Sequence, residues 1–311
     1  METANVKASV VKKLLNRIAG NPIINKELKG RMRGRQGFII IAAYLGAISF
    51  FIALIYLLFT VDGSLSDSDP SFLQTMGKII FSTVVLLELL MLGFIGPALT
   101  SGAISSERER KTIDLLRASL LSARSIVLGK LGSASAFLLL LVFTAIPIQS
   151  LAFFLGGVGA AEIIISTLML VVTAVFFCSL GLFFSSMAQR TLIATVLSYS
   201  SILISLLAFV FFLFSIDILS IGNYGGVTPT PFDNFMTAAA WALLSTNPFF
   251  AAIMSEVLLV ESQAIYTTSN IFFANSPLTL PLPWIIYLVF YVLLTGILVS
   301  LSIYFVSRPD R

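Results

Sequence analysis

The sequence predicts an all-α integral membrane protein with six transmembrane helices, and three observations carry that reading. First, 58% of the 311 residues are apolar and 11% are charged, whereas a soluble domain averages about 45–50% apolar and about 25% charged. Second, the mean hydropathy is +1.00 and the chain holds 27 Phe, far more apolar surface than one water-soluble core of this length can hide. Third, the apolar residues fall into runs near 38–59, 79–99, 127–155, 162–184, 192–214 and 284–306. Each run matches the roughly 20 residues that cross about 30 Å of hydrocarbon as a helix.

The same composition excludes chemistry. The chain has no His and a single Cys, Cys178, which removes the usual zinc sites, imidazole acid–base catalysis and any intrachain disulfide. Cys178 reads as a small packing residue rather than a reactive thiol. The net charge of +4 would suggest nucleic acid in a soluble protein; here its meaning depends on where the basic residues sit relative to the bilayer, and no nucleic-acid partner is expected.

Residues 1–37 are polar and basic, so the first span starts too late and is too heavily flanked for a cleaved signal peptide. It reads as a retained anchor, with the mature chain starting at or near Met1. Val11, Leu14, Leu15 and Ile18 share one helical face opposite Lys12, Lys13, Asn16 and Arg17, the pattern of a helix lying in the lipid interface. Gly20 ends that helix, Asn21 can cap a second one with Pro22 at its first position, and the basic residues from Lys26 to Arg35 can meet anionic headgroups. A purely topogenic basic flank is a compatible reading.

Sidedness follows from charge. The N-terminal segment, the loop between spans two and three (Arg108 to Lys130), Arg190 between spans four and five, and Arg308 with Arg311 hold all but one of the 19 Lys and Arg residues. The positive-inside rule then puts both termini in the cytoplasm, as an even span count requires, with 307–311 as the cytoplasmic C-terminus. The opposite side carries Asp62, Asp67, Asp69, Glu162, Asp217, Asp233, Glu256 and Glu261 against the single Lys78.

Within the cytoplasmic loop 100–126, Ser106 and Glu109 are spaced as a capping box, and Glu107–Lys111 and Arg110–Asp114 are i, i+4 pairs. Ile113, Leu116 and Leu120 recur on one side, so a short amphipathic helix is specified locally. Its charged face meets either water or a protein. The segment 215–283 is too long for a simple loop and too apolar for disorder. It reads as two short re-entrant or interfacial helices on the outer face, broken at Asn247 and Pro248 and bounded by the turn 222–231 and by Pro277, Pro281 and Pro283. A seventh span here would put the C-terminus outside, but Pro248 would break a single crossing.

Glu88 lies near the middle of the second span, where an ionisable group costs at least about 2.5–3.5 kcal/mol unless paired or facing water. It is the candidate pathway residue; the alternative is a protonated carboxyl hydrogen-bonded to a neighbouring helix. Gly93, Gly96 and Pro97 in the same span permit a kink or close packing.

With these elements in hand, the chain resembles the membrane (permease) subunit of a type-2 ATP-binding cassette exporter. The resemblance rests on Asn21-Pro22-Ile23-Ile24-Asn25-Lys26-Glu27-Leu28 with Arg31-Met32-Arg33, on Ala103-Ile104-Ser105-Ser106-Glu107-Arg108-Glu109 with Thr112-Ile113-Asp114-Leu115-Leu116, and on Gly129-Lys130. Gly181-Leu182-Phe183-Phe184-Ser185-Ser186 and Asn247-Pro248-Phe249 extend it along most of the chain in order. Leu120 departs from the pattern, standing where such proteins often have a proline after the coupling helix.

The resemblance implies an N-terminal elbow helix, a coupling helix at about 104–118 that docks on a cytoplasmic ATPase subunit, and outer re-entrant helices closing the exit of a pathway formed by residues 38–306. Ser106, Glu107, Arg108, Glu109, Arg110, Lys111, Asp114 and Leu115 would make the ATPase contact. It further implies two copies of the ATPase, a second membrane subunit (identical or different), and a plasma (inner) membrane location. No cofactor is expected on this chain; ATP and Mg would sit on the partner. The residues agree with that division, because no G-x-x-x-x-G-K-[ST] loop occurs: Gly129-Lys130 is followed by Leu131 and preceded by Arg124 where the first Gly belongs. The rival readings are a stand-alone secondary transporter, which would need more polar groups at the midplane than Glu88 and repeated broken helices, and a purely structural membrane partner. An intramembrane enzyme lacks both a nucleophile–base pair and paired intramembrane carboxylates.

Overall fold

In the computed structural model, the described residues are 27, 30, 35–61, 70–112, 122–221, 231–262, 265–269 and 279–308. The expected interfacial helix over 10–18, the Asn21–Pro22 cap, Asp114, Leu115 and the apolar face Ile113, Leu116 and Leu120 lie outside them.

Six helices among the described residues are long and apolar enough to cross a membrane. They are α1 (Arg35–Val61), α2 (Pro70–Thr100), α4 (Ala123–Phe154), α5 (Ala160–Met187), α6 (Thr191–Ile221) and α9 (Pro283–Ser307). They coincide with the six apolar runs and overrun several, because a helix continues through flanking polar residues until a cap or a break stops it. The short α3 (Ser105–Glu109) follows α2 directly, and α7 (Pro231–Ser245) and α8 (Pro248–Ser262) fill the segment between α6 and α9.

The centre of the bundle is α5, which packs against α2, α4, α6 and α9, while α1 lies against α2 and α4. Leu92 of α2, Leu138 and Leu141 of α4 and Leu182 of α5 are fully buried there. In a bilayer no hydrophobic gain drives helices together, so close contact and hydrogen bonds must do so. Both are present. A Cβ on Gly96 would approach Phe177 Cβ to 2.9 Å, so this glycine serves close packing of α2 on α5. Between α5 and α9, Thr173 and Tyr287 share a buried hydroxyl–hydroxyl bond of 2.6 Å, and Phe176 meets Tyr291 edge-on at 4.4 Å between ring centroids. The outward faces of α1 and α6 stay apolar, with Phe38, Leu58, Leu192 and Ile204 all more than half exposed, as surfaces that meet lipid or another apolar helix must be.

The break expected at Asn247 and Pro248 falls between α7 and α8, whose axes bend by 111°. Pro248 starts α8, where its missing N–H is no loss. Asn247 caps the helix, its Oδ1 accepting from the amides of Phe249 (3.0 Å) and Phe250 (3.4 Å) while its Nδ2 donates to the Ser205 carbonyl of α6 at 2.7 Å. One departure from an all-α reading is a small antiparallel pair, β1 (Thr267–Ser269) with β2 (Thr279–Pro281). Trp241 Nε1 donates to the Pro281 carbonyl and Trp284 Nε1 to that of Ile265, so tryptophans of α7 and α9 hold the pair in place. Such three-residue strands carry no alternation long enough to read from sequence.

Candidate functional site

At the basic end of the bundle the chain leaves α2 at Thr100, turns through 101–104 and forms α3. Five residues of this short segment are tied to other parts of the bundle. The amides of Ile104 and Ser105 both donate to Ser185 Oγ of α5, at 2.9 and 3.0 Å. Arg108 Nη1 donates to the carbonyls of Ser186 (2.7 Å) and Ala188 (3.2 Å) at the end of α5, which places a cation where the helix dipole is negative. Glu109 does the reverse for α6: its carboxylate accepts from the Thr191 amide at 2.9 Å and hydroxyl at 2.8 Å, at the positive end of that helix.

The fourth tie is ionic. Lys130, near the start of α4 and only 6% exposed, reaches Glu107 Oε1 at 2.7 Å and Glu27 Oε1 at 3.2 Å. Ser133 Oγ donates to the other oxygen of Glu27 at 2.7 Å. One buried ammonium thus joins α3, α4 and Glu27, which stands ahead of α1 in the chain. This ammonium meets two carboxylates, the compensation a buried cation requires.

This geometry changes the expected local pairing. The capping box is absent, since Ile104 is the N-cap of α3 with no side-chain bond; Ser106 Oγ donates to Gly102 O and Glu109 caps α6. Glu107 bonds Lys130 instead of pairing with Lys111. Helix is expected over 104–118; α3 ends at Glu109 and Lys111 takes a left-handed φ of 56°, so the helix is interrupted at 110–112, while 113–118 lie outside the described residues. Tertiary partners within hydrogen-bond reach outcompete weak i, i+4 pairs, worth about 0.2–0.5 kcal/mol each. Of the expected contact residues, Glu107 and Arg108 are half-buried and bonded within the chain, Glu109 is bonded to Thr191 but exposed, and Ser106 is half-buried. Arg110 and Lys111 are exposed.

Glu88 lies elsewhere, fully buried between α2 and α4, where Gln149 Nε2 donates to its Oε1 at 2.9 Å. Glu88 Oε2 and Gln149 Oε1 are both buried without a partner, as is the Tyr44 hydroxyl. A proton on Oε2 would satisfy the first two at once, donating to Gln149 Oε1 and closing a two-bond carboxyl–amide ring. Glu88→Gln preserves such a ring and is expected to unfold within about 0.5 kcal/mol of the wild type. Glu88→Ala strands Gln149 and should cost about 1–3 kcal/mol in detergent unfolding. Equal losses in the two variants would rule the ring out.

Lys130, Glu27, Ser133, Ser185, Thr191 and Gln149 are the partners that spacing alone does not assign. Lys130 had a signal, since a lysine at the boundary between the loop and the apolar run of the third span needs either water or a carboxylate; which carboxylate is a matter of tertiary placement. No protein-family model matches the chain, and no curated protein matches it.

Proposed function

We propose that the chain is the membrane subunit of a type-2 ATP-binding cassette exporter, with α3 and the residues after it forming the coupling element. The observation that carries this reading is the fourfold anchoring of α3, through Ser185, Arg108, Glu109 and Lys130. A five-residue helix alone is unstable in water; bound to α4, α5 and α6 it moves with them. A push on α3 is therefore passed to three spans as a rigid-body displacement. Arg110 and Lys111, exposed at its end, are the groups left to meet an acidic groove on an ATPase.

In this reading the basic end is cytoplasmic, both termini are inside, and the membrane is the plasma membrane. ATP and Mg bind the partner ATPase, present in two copies, and its closure drives the spans between inward- and outward-open states. The apolar outer faces of α1 and α6 suit lipid and a second membrane subunit. The bent pair α7–α8 acts as the outer re-entrant element, turning back at Asn247 and Pro248.

The test uses tagged protein extracted in mild detergent, with mass spectrometry of bound subunits and a vanadate-sensitive ATPase assay. A stoichiometric cassette ATPase is expected. The double variant Arg110→Glu, Lys111→Glu should lower its recovery at least tenfold with no change in unfolding midpoint, because both side chains are exposed. Purification without a nucleotide-binding partner, or full recovery in the double variant, would overturn the assignment.

A further inference from the structure

At the acidic end, opposite α3, α8 lies on α2 and α5, and Glu256 of α8 is fastened to α2 through one hydroxyl. Ser82 Oγ stands 2.6 Å from Glu256 Oε1 and 2.8 Å from the Lys78 carbonyl of its own helix. Both neighbours can accept, but a serine hydroxyl carries a single hydrogen. With Glu256 ionised, that hydrogen serves one contact and the other presses two lone-pair oxygens together. With Glu256 protonated both contacts are satisfied: the carboxyl donates to Ser82 Oγ, and Ser82 Oγ donates to the Lys78 carbonyl. The hydrogen count therefore favours a proton on Glu256 while α8 is docked.

The surroundings point the same way. Glu162 of α5 borders the same small hollow as Glu256, and its Oε2 accepts from the Gly159 amide at 2.6 Å, which sets a carboxylate at the positive end of α5. Its charge acts on Glu256 across apolar walls that include Phe81, Val85 and Met169. Lys78 forms no ion pair with either carboxylate among the described residues. Other titratable groups described on the helices packed against α8 are engaged elsewhere: Glu88 with Gln149 of α4, Tyr199 of α6 with the Phe94 carbonyl, Tyr287 of α9 with Thr173, and Tyr291 with the ring of Phe176. Burial pushes the Glu256 carboxyl up to about 7, opposed by donation from Ser82 and helped by the Glu162 charge. The hollow measures about 20 Å³, room for about one water. No organic ligand fits there; a proton does.

We propose that Glu256 is a proton-binding site that latches α8 to α2: protonated, it donates to Ser82 and holds α8 down; ionised, it faces the Glu162 charge and α8 loosens. The docked form binds the proton more tightly than an exposed carboxyl does. The latch is therefore fully present below the ordinary carboxyl value of about 4.3 and is lost as the pH rises to about 7. It belongs to the single chain and is measured without an ATPase, so its failure would leave the exporter reading untouched.

Two readouts on the full chain test this. In dodecyl maltoside, which has no carbonyl group, infrared difference spectra between about pH 5 and about pH 9 should show loss of a carboxylic-acid C=O stretch that is missing from Glu256→Gln. In phosphatidylcholine nanodiscs, loosening of α8 is read from the thiol of Ser166→Cys, which lines the hollow, while native Cys178 is fully buried. Glutamine at 256 stays neutral and keeps a donor for Ser82. Dithiodipyridine should therefore label the new cysteine equally with and without Glu256→Gln at about pH 5, and at least about fivefold faster without it at about pH 9. Comparison at one pH cancels the titration of the thiol itself. Against the case in which Glu256→Gln fails to fold, Ser82→Ala removes the acceptor of the carboxyl proton and should speed labelling at least about fivefold already at about pH 5. Infrared difference spectra unchanged by Glu256→Gln, a labelling ratio equal at the two pH values, or no faster labelling in Ser82→Ala would each overturn the proposal.

Discussion

Replacing Lys130 with methionine is expected to destabilise the bundle by about 3 kcal/mol, the scale of a buried ion pair broken on one side. Methionine keeps the apolar stem, so the loss is of charge rather than packing. Glu107 and Glu27, whose side chains are only 22% and 26% exposed, then face each other with no cation between them. Neutralising one partner as well should recover part of the loss, so Glu107→Gln with Lys130→Met should cost less than the sum of the single changes. Chemical or thermal unfolding of the four proteins in one detergent measures this coupling. Additive losses would mean that the ammonium and the Glu107 carboxylate do not interact. The same variant should reduce ATPase recovery without touching Arg110 or Lys111, because it loosens the seat of α3.

Gly181→Ala is expected to cost about 1–3 kcal/mol, the usual penalty for overpacking a tight interior. A Cβ there would collide with Thr100 Oγ1 and stand 3.0 Å from Pro97 Cα and 3.3 Å from the Ser101 amide nitrogen. Two of these atoms are backbone, so rotation of a side chain cannot relieve the crowding. Gly181 lies one turn before Ser185, which accepts the Ile104 and Ser105 amides, so α5 moving off α2 would also displace α3. Thr100→Ala removes the hydroxyl and should restore part of the stability of Gly181→Ala, leaving the backbone contact unrelieved. A thermal midpoint in Gly181→Ala equal to the wild type would show that the two helices are free to separate at this point.

The six long apolar helices among the described residues and the break at Asn247 and Pro248 were legible because they rest on length, apolar content and a missing backbone donor, each a property of a continuous stretch of chain. The pairing of α3 was less so. Ser106, Glu107, Arg108, Glu109 and Lys111 carry the spacing of a self-contained capped helix, yet Glu107 reaches Lys130, Arg108 the end of α5, and Glu109 the start of α6. Nothing local distinguishes these outcomes, since a carboxylate binds whichever cation or helix end lies within 3 Å or so. Glu88 was conspicuous as a charge in an apolar run, but its partner Gln149 lies on another helix, 61 residues away.

Sequence by itself determined that this protein belongs in a bilayer, how many long apolar helices it has and where the chain breaks, because the transfer of apolar residues from water and the satisfaction of backbone groups are settled segment by segment. Tertiary structure alone decided which polar side chains are consumed in holding the bundle together and which stay available. Glu107, Arg108 and Glu109 are bonded within the chain, Arg110 and Lys111 remain exposed, and Glu162, Glu256 and Ser255 line one small hollow. The physical reason is range: hydrogen bonds and ion pairs act over a few ångströms, and only the packing of helices distant in sequence brings such groups that close.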